Sequence, residues 1–171
     1  MTRFLITILL ISVSLTLAKA QDNQITTIIL FRHAEAVQDG SKNPALNEIG
    51  KERAVELSRV LSKTEIQAVY STELKRTIST ASEIAIERGL EIIYYDPFSK
   101  TFIDEVLEKH QGETIAISGH SNTTPSLVNQ LIGEEKYPAL DHNVYDNIFF
   151  VSYIGKENVK VIQTKYGQKS Q

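Results

Sequence analysis

The chain contains no cysteine. That excludes disulfides, thiolate metal sites, thiol nucleophiles and lipid attachment through cysteine, and it suits an oxidising compartment. Prolines and glycines are few, four and eight among 171 residues, and no Pro/Gly-rich linker divides the chain. No internal repeat or low-complexity stretch is present. Positive charge does not dominate: 18 Lys and Arg face 21 Asp and Glu, for a net charge of -3. An acidic protein of this kind does not bind nucleic acid by bulk electrostatics, so any phosphate it holds needs local cations. Long apolar runs are also missing, with one exception. Phe4 to Leu17 is apolar, follows Arg3 and precedes Ala18-Lys19-Ala20. A bilayer span needs roughly 20 apolar residues, so this run is short for an anchor. Its length and flanks are those of an export signal with small residues at the cleavage site. The expectation is a signal peptide over 1–20 and one domain over 21–171. Such a protein is periplasmic or secreted, with no stable membrane insertion once the signal is removed. Cleavage removes Arg3 and Lys19 and takes the net charge to about -5.

From residue 21 onward, strand-like and helix-like segments alternate. Ile25 to Phe31 is a β-branched apolar run, the pattern of a buried strand. Asn47 to about Leu61 has helical spacing, with Ile49, Ala54, Leu57, Val60 and Leu61 largely on one face and Asn47 as cap. Gln67 to Tyr70 is a second strand. Leu74 to about Arg88 is a second helix, closed by Gly89. Glu91 to Tyr95 reads as a strand, Phe102 to His110 as a helix and Thr114 to Ser118 as a strand. Thr123 to Ile132 reads as a helix with Pro125 in its first turn. Asn147 to Ile154 and Asn158 to Lys165 read as a closing hairpin around Gly155-Lys156. Repeated strand–helix–strand units imply an α/β fold, a three-layer α/β/α sandwich with a mostly parallel central sheet.

Ligands of such sheets sit beyond the carboxyl ends of the strands. Those ends carry Arg32-His33-Ala34-Glu35, then Ser71-Thr72-Glu73-Leu74-Lys75-Arg76, then Asp96, then Gly119-His120-Ser121-Asn122. Singly, each has a structural explanation: a satisfied core histidine, a surface arginine, a turn aspartate before Pro97. Together they place several cations at one edge, which is costly without an anion among them. Phosphate suits the guanidinium fork. Asn122, Thr123 and Thr124 can cap a helix and can also turn its N-terminal N–H groups toward an anion. Asn43 lies in the loop after the first strand. His110 and His142 are read as structural or surface residues, and Tyr94, Tyr95, Tyr137 and Tyr145 as packing or rim residues.

These segments resemble those of the histidine phosphatase (phosphoglycerate-mutase-like) superfamily. Leu30-Phe31-Arg32-His33-Ala34-Glu35 is similar to its Arg-His signature, with Ala34 where Gly is commoner. Pro44 to Gly50 resembles the family's Leu, helix cap and Gly segment. Tyr70 to Ala81 resembles its Ser-x-x-Leu-x-Arg-x-x-x-Thr-Ala stretch, and Gly119-His120-Ser121 its second-histidine motif. All four stand in the family's order.

The resemblance implies a phosphohydrolase acting on a small phosphomonoester, with no cofactor and no metal. His33 would take up the phosphoryl group, and Arg32, Arg76 and His120 would surround its oxygens. Asp96 stands where one branch of the family has its general acid. In another branch an Asp follows the second histidine; Ser121 holds that position here. Asn43, Glu35, Ser121 and Asn122 are candidate substrate contacts, Glu35 and Asp104 also fallback acids. The chain is too short for the large helical insert of phytase-like members, which points to an open site or a small substrate. Two alternatives stand beside this reading. One keeps the fold: a phosphohistidine phosphatase, against which export argues, or a phosphomutase, for which no closing insert is evident. The other is a non-catalytic binder of phosphate-bearing ligands, without a working acid.

Overall fold

The structure, a computed structural model, describes residues 24–170; the expected signal peptide lies outside them. Ten elements follow one another: β1 (Thr26–Arg32), α1 (Glu48–Val60), β2 (Ala68–Ser71), α2 (Lys75–Arg88), β3 (Ile92–Tyr94), α3 (Phe102–Lys109), β4 (Thr114–Gly119), α4 (Thr123–Ile132), β5 (Asn147–Tyr153) and β6 (Val159–Lys165). They agree with the sequence-based expectation in type and order, and their ends move by a residue or two.

The six strands form one sheet in the order β3-β2-β4-β1-β5-β6. The first four are mutually parallel. β5 runs antiparallel to β1, and β6 returns antiparallel to β5 as the expected hairpin. β1 and β4 therefore lie side by side at the centre, in register from Thr27 opposite Thr114 to Arg32 opposite Gly119. That register brings the residues after Arg32 and after Gly119 out at the same edge. The His33 backbone N–H donates to the Gly119 carbonyl (2.9 Å), which ties the two strand ends together.

Alternation along β1 sorts the core into two layers, because successive strand residues face opposite ways. Ile28 and Leu30 pack with Phe102, Ile103 and Val106 of α3 and Leu127, Val128 and Leu131 of α4. Ile29 and Phe31 pack with Leu57 of α1 and Ala81, Ile84 and Ala85 of α2. Helices thus cover both faces, as a buried parallel sheet requires.

Local signals act as the sequence indicates at most helix ends. The Asn47 side chain accepts from the Gly50 N–H (2.9 Å), and Gly89 closes α2 at φ +63°. At α4 the cap differs from expectation. Asn122 makes no capping side-chain bond; instead the Thr123 hydroxyl accepts from the His120 N–H (2.9 Å). Two glycines are required by close approach. A Cβ on Gly50 would lie 2.1 Å from the Glu35 carbonyl oxygen, so α1 can press against the loop after β1 only with Gly there. A Cβ on Gly119 would lie 2.8 Å from the Thr124 hydroxyl. Ala34 gains its own explanation: it is fully buried, and its methyl packs with Leu46 and Ala54.

Candidate active site

A cavity of about 850 Å³ opens at the carboxyl edge of the parallel strands. Of the residues expected there, it is lined by His33 from the end of β1, Arg76 from the first turn of α2 and Asp96 from the loop after β3. His120, Ser121 and Asn122, between β4 and α4, complete that set. The His33 and His120 rings stand 5.5 Å apart, edge to face.

His33 is 7 % exposed. Its Nδ1 lies 2.8 Å from the Ala34 carbonyl. A carbonyl only accepts, so Nδ1 carries the proton and Nε2 keeps a lone pair in the neutral ring. Burial lowers its pKa to about 3, with Arg32, Arg76 and His120 adding to the shift against a contrary pull from the Ala34 carbonyl. Burial, then Arg76 and Arg32, lowers His120 to about 4. Both rings are therefore neutral around pH 7.

The orientation of His120 follows from two threonines. The Thr77 hydroxyl stands 2.8 Å from the Leu74 carbonyl and 3.0 Å from the Thr72 carbonyl, so its proton goes to a carbonyl. The Thr72 hydroxyl, 2.8 Å from Thr77 Oγ1, then donates to it. That leaves Thr72 to accept from His120 Nε2 at 3.0 Å. The chain of bonds fixes His120 with its proton on Nε2.

The cations differ in how they are held. Arg32 is 5 % exposed. Its Nη1 donates to the carbonyls of Asp141, His142 and Val144 at 3.0, 3.0 and 2.8 Å, and its guanidinium carbon sits 4.0 Å over the Tyr145 ring. Its buried Nε has no hydrogen-bond partner among the described residues. The Arg76 side chain makes no hydrogen bond or ion pair among them. Burial lowers the pKa of each. Two guanidinium groups and two imidazoles thus meet without a paired carboxylate, an arrangement that favours an entering anion.

Two expected contacts take other positions, and a third has a second partner. Glu35 does not line this cavity; its carboxylate forms a bidentate pair with Arg53, at 2.7 Å from Nη2 to Oε1 and 2.8 Å from Nε to Oε2. Asn43 accepts from the Lys75 N–H (2.8 Å) and so caps α2 from a distant loop. Asp96 lines the cavity while its Oδ1 also accepts from the Phe98 N–H (2.9 Å), a turn bond beside Pro97. Asp104 lies in the first turn of α3. Sequence reasoning passed over Thr72 and Tyr145 as site residues. Thr72 lay inside the quoted strand-end segment and could have been found there; Tyr145 arrives on a loop before β5 with no local signal. Among the described residues no group of three or more His, Asp or Glu side chains could hold a metal ion.

The profile of the histidine phosphatase superfamily (branch 1) matches residues 28–100. Phosphoserine phosphatase 1 from Hydrogenobacter thermophilus is 37% identical over 97 residues, 48% of this chain and 46% of its own. The chain thus matches about half the length of that curated relative. Among solved structures, a mycobacterial glucosyl-3-phosphoglycerate phosphatase superposes with a TM-score of 0.68 at 14% identity, over 84% of this chain and 99% of its own. A phosphoglycerate mutase from Bacillus anthracis gives 0.65 at 14% identity, over 85% and 95%. At these identities the two structures speak for the fold alone.

Proposed function

We propose, from the match of residues 28–100 to the histidine phosphatase superfamily, that the protein is a phosphohydrolase that cleaves a small phosphomonoester through a phosphohistidine on His33. The observation that carries the proposal is the buried, neutral His33, its Nδ1 proton held by the Ala34 carbonyl, facing a cluster of cations without a paired carboxylate. The name of the phosphoserine phosphatase relative supports the same class of reaction.

The reaction has two steps. The Nε2 lone pair of His33 attacks phosphorus, the ester P–O bond breaks, and the leaving oxygen takes a proton from the Asp96 carboxyl group. Water then attacks phosphorus, gives a proton to the Asp96 carboxylate, and the N–P bond breaks to release phosphate. Splitting one slow displacement in two is the gain of covalent catalysis. Arg76 stabilises the phosphoryl oxygens directly, with the charge of the buried Arg32 behind His33 adding to the positive field; that stabilisation is where most of the acceleration of phosphoryl transfer arises. His120 is neutral before substrate enters because burial and two guanidiniums oppose its charge. A phosphoryl dianion reverses that opposition, so His120 takes up a proton as substrate binds and donates to the phosphoryl group. No resident metal has a part in either step. The protein is proposed to act after export, with residues 1–20 as its signal.

The test is hydrolysis of p-nitrophenyl phosphate with a chelator present, beside a His33→Ala variant. The expected result is activity that survives the chelator and falls by at least about 10⁴-fold in the variant. Retained turnover in the variant would sink the assignment of His33. Tight binding of phosphate esters by a folded protein with no turnover would make it a binder instead.

A further inference from the structure

The cavity is much larger than a phosphoryl group needs, and the wall beyond the cations has a distinct chemistry. At one end stand His33, Arg76 and His120. Toward solvent it is lined by Tyr94, Pro97 and Phe98, with Tyr94 52 % and Phe98 77 % exposed. The charged side chains of this outer part are both acidic, Glu73 and Asp96. No lysine lines the cavity, and Arg76 is its sole arginine. A leaving group with its own carboxylate or second phosphate would meet the Glu73 carboxylate and no spare cation. A leaving group with a flat apolar face would cover two solvent-facing aromatic rings.

Resting on the phosphohydrolase reading, we infer that this outer wall selects phosphomonoesters whose leaving group is aromatic and carries no negative charge. Tyr94 and Phe98 provide the stacking surface, and Glu73 excludes a second anion. Each part rests on ordinary chemistry. Aromatic pairs contribute about 0.5–1.5 kcal/mol beyond area burial, roughly a three- to tenfold effect on affinity. Like charges brought together across an interface are strongly disfavoured.

Phenyl phosphate, 4-carboxyphenyl phosphate and glycerol 1-phosphate separate the two parts. The carboxylated phenol is the better leaving group, so intrinsic reactivity favours the substrate that the wall should reject. The expected kcat/KM for phenyl phosphate is higher by about tenfold or more. Glu73→Lys should raise the value for 4-carboxyphenyl phosphate and close most of that gap. Phe98→Ala should lower kcat/KM for phenyl phosphate by roughly three- to tenfold, mainly through KM, with glycerol 1-phosphate changed by less than about twofold. Equal or better use of the carboxylated ester by the unaltered protein overturns the inference. So does a Phe98→Ala loss of the same size on both phenyl and glycerol esters.

Calorimetric binding of phenylphosphonate and 4-carboxyphenylphosphonate reads the same wall without turnover. If no ester is hydrolysed but phenylphosphonate binds more tightly, the phosphohydrolase reading fails and the wall assignment stands. If the two phosphonates bind alike, the wall assignment fails whatever the esters do.

Discussion

Arg53 and Arg76 stand on α1 and α2, the two helices that cover the same face of the sheet, and they end in opposite surroundings. Arg53 is saturated. Its Nε and Nη2 grip the Glu35 carboxylate, and its Nη1 donates to the carbonyls of Tyr166 and Gln168 at 3.3 and 2.9 Å. Burial opposes its charge, but the hydrogen bonds it donates to Glu35, together with that carboxylate's charge, outweigh burial and raise its pKa. Arg76 has no such partners, and burial lowers its pKa. The first arginine has its counter-charge built into the fold and ties the loop after β1 to the carboxyl-terminal segment. The second is left for a counter-charge that comes from outside. The sequence pattern singles out Arg76 at a strand end and passes over Arg53; the structure adds the partner that separates a cation satisfied within the fold from one that is not.

Replacing both with methionine should pull this contrast apart. Side-chain exposures of 3 % for Arg53 and 15 % for Glu35 make theirs a buried pair. Breaking such a pair by removing one partner costs about 3–5 kcal/mol, because an uncompensated charge stays inside. Arg53→Met should therefore lose stability of that order in urea denaturation. Arg76→Met should keep or slightly gain stability, since it relieves repulsion, while kcat/KM falls by about 10²–10³-fold, as when one donor to a developing oxyanion is removed. A stable Arg53→Met protein, or an Arg76→Met protein that unfolds more easily, would reverse the roles assigned here.

A smaller effect sharpens the same point through pH. His33 and His120 sit below the ordinary value of 6.5, at about 3 and about 4. Below pH 6.5 the unfolded chain binds protons at these rings that the folded protein refuses. Their contribution to stability is complete above about 6.5 and is lost as pH falls from there toward 4 and then 3. The unliganded protein should thus lose stability between pH 6.5 and 4, and His33→Ala should show a shallower loss. Excess inorganic phosphate should flatten the slope too, because an anion removes the penalty on charging both rings. An identical slope in His33→Ala and the unaltered protein, measured by chemical denaturation across that range, would remove the repulsive cluster from the account.

Much of this was legible in the sequence because it rests on local pattern. The apolar run of β1, the cap at Asn47, the glycine after α2 and the hairpin around Gly155-Lys156 each follow from short-range backbone preferences. The strand-end rule then brought His33, Arg76, Asp96, His120, Ser121 and Asn122 to one edge, and these line one cavity. What was not legible depends on where side chains end rather than where elements begin. Glu35 stands two residues from His33, yet its carboxylate turns to Arg53, eighteen residues on. Asn43 looked like a loop residue free to meet substrate, but the uncapped start of α2 claims its side chain. Tyr145 reaches the ring of His33, 6.0 Å away, by way of a loop held to Arg32 through backbone carbonyls. No residue pattern encodes that path. Long-range partners are chosen by unsatisfied donors and acceptors, and those are visible only once the chain has closed around them.

The central claim is that His33 itself carries the phosphoryl group. The most direct measurement is rapid quenching of the protein during turnover of a phosphomonoester, followed by mapping of the bound phosphate. The account predicts a phosphorylated enzyme with the bond on His33, labile in acid and stable in base, absent from His33→Ala. Turnover with no phosphorylated enzyme detectable at any quench time, or phosphate found on another residue, would contradict it.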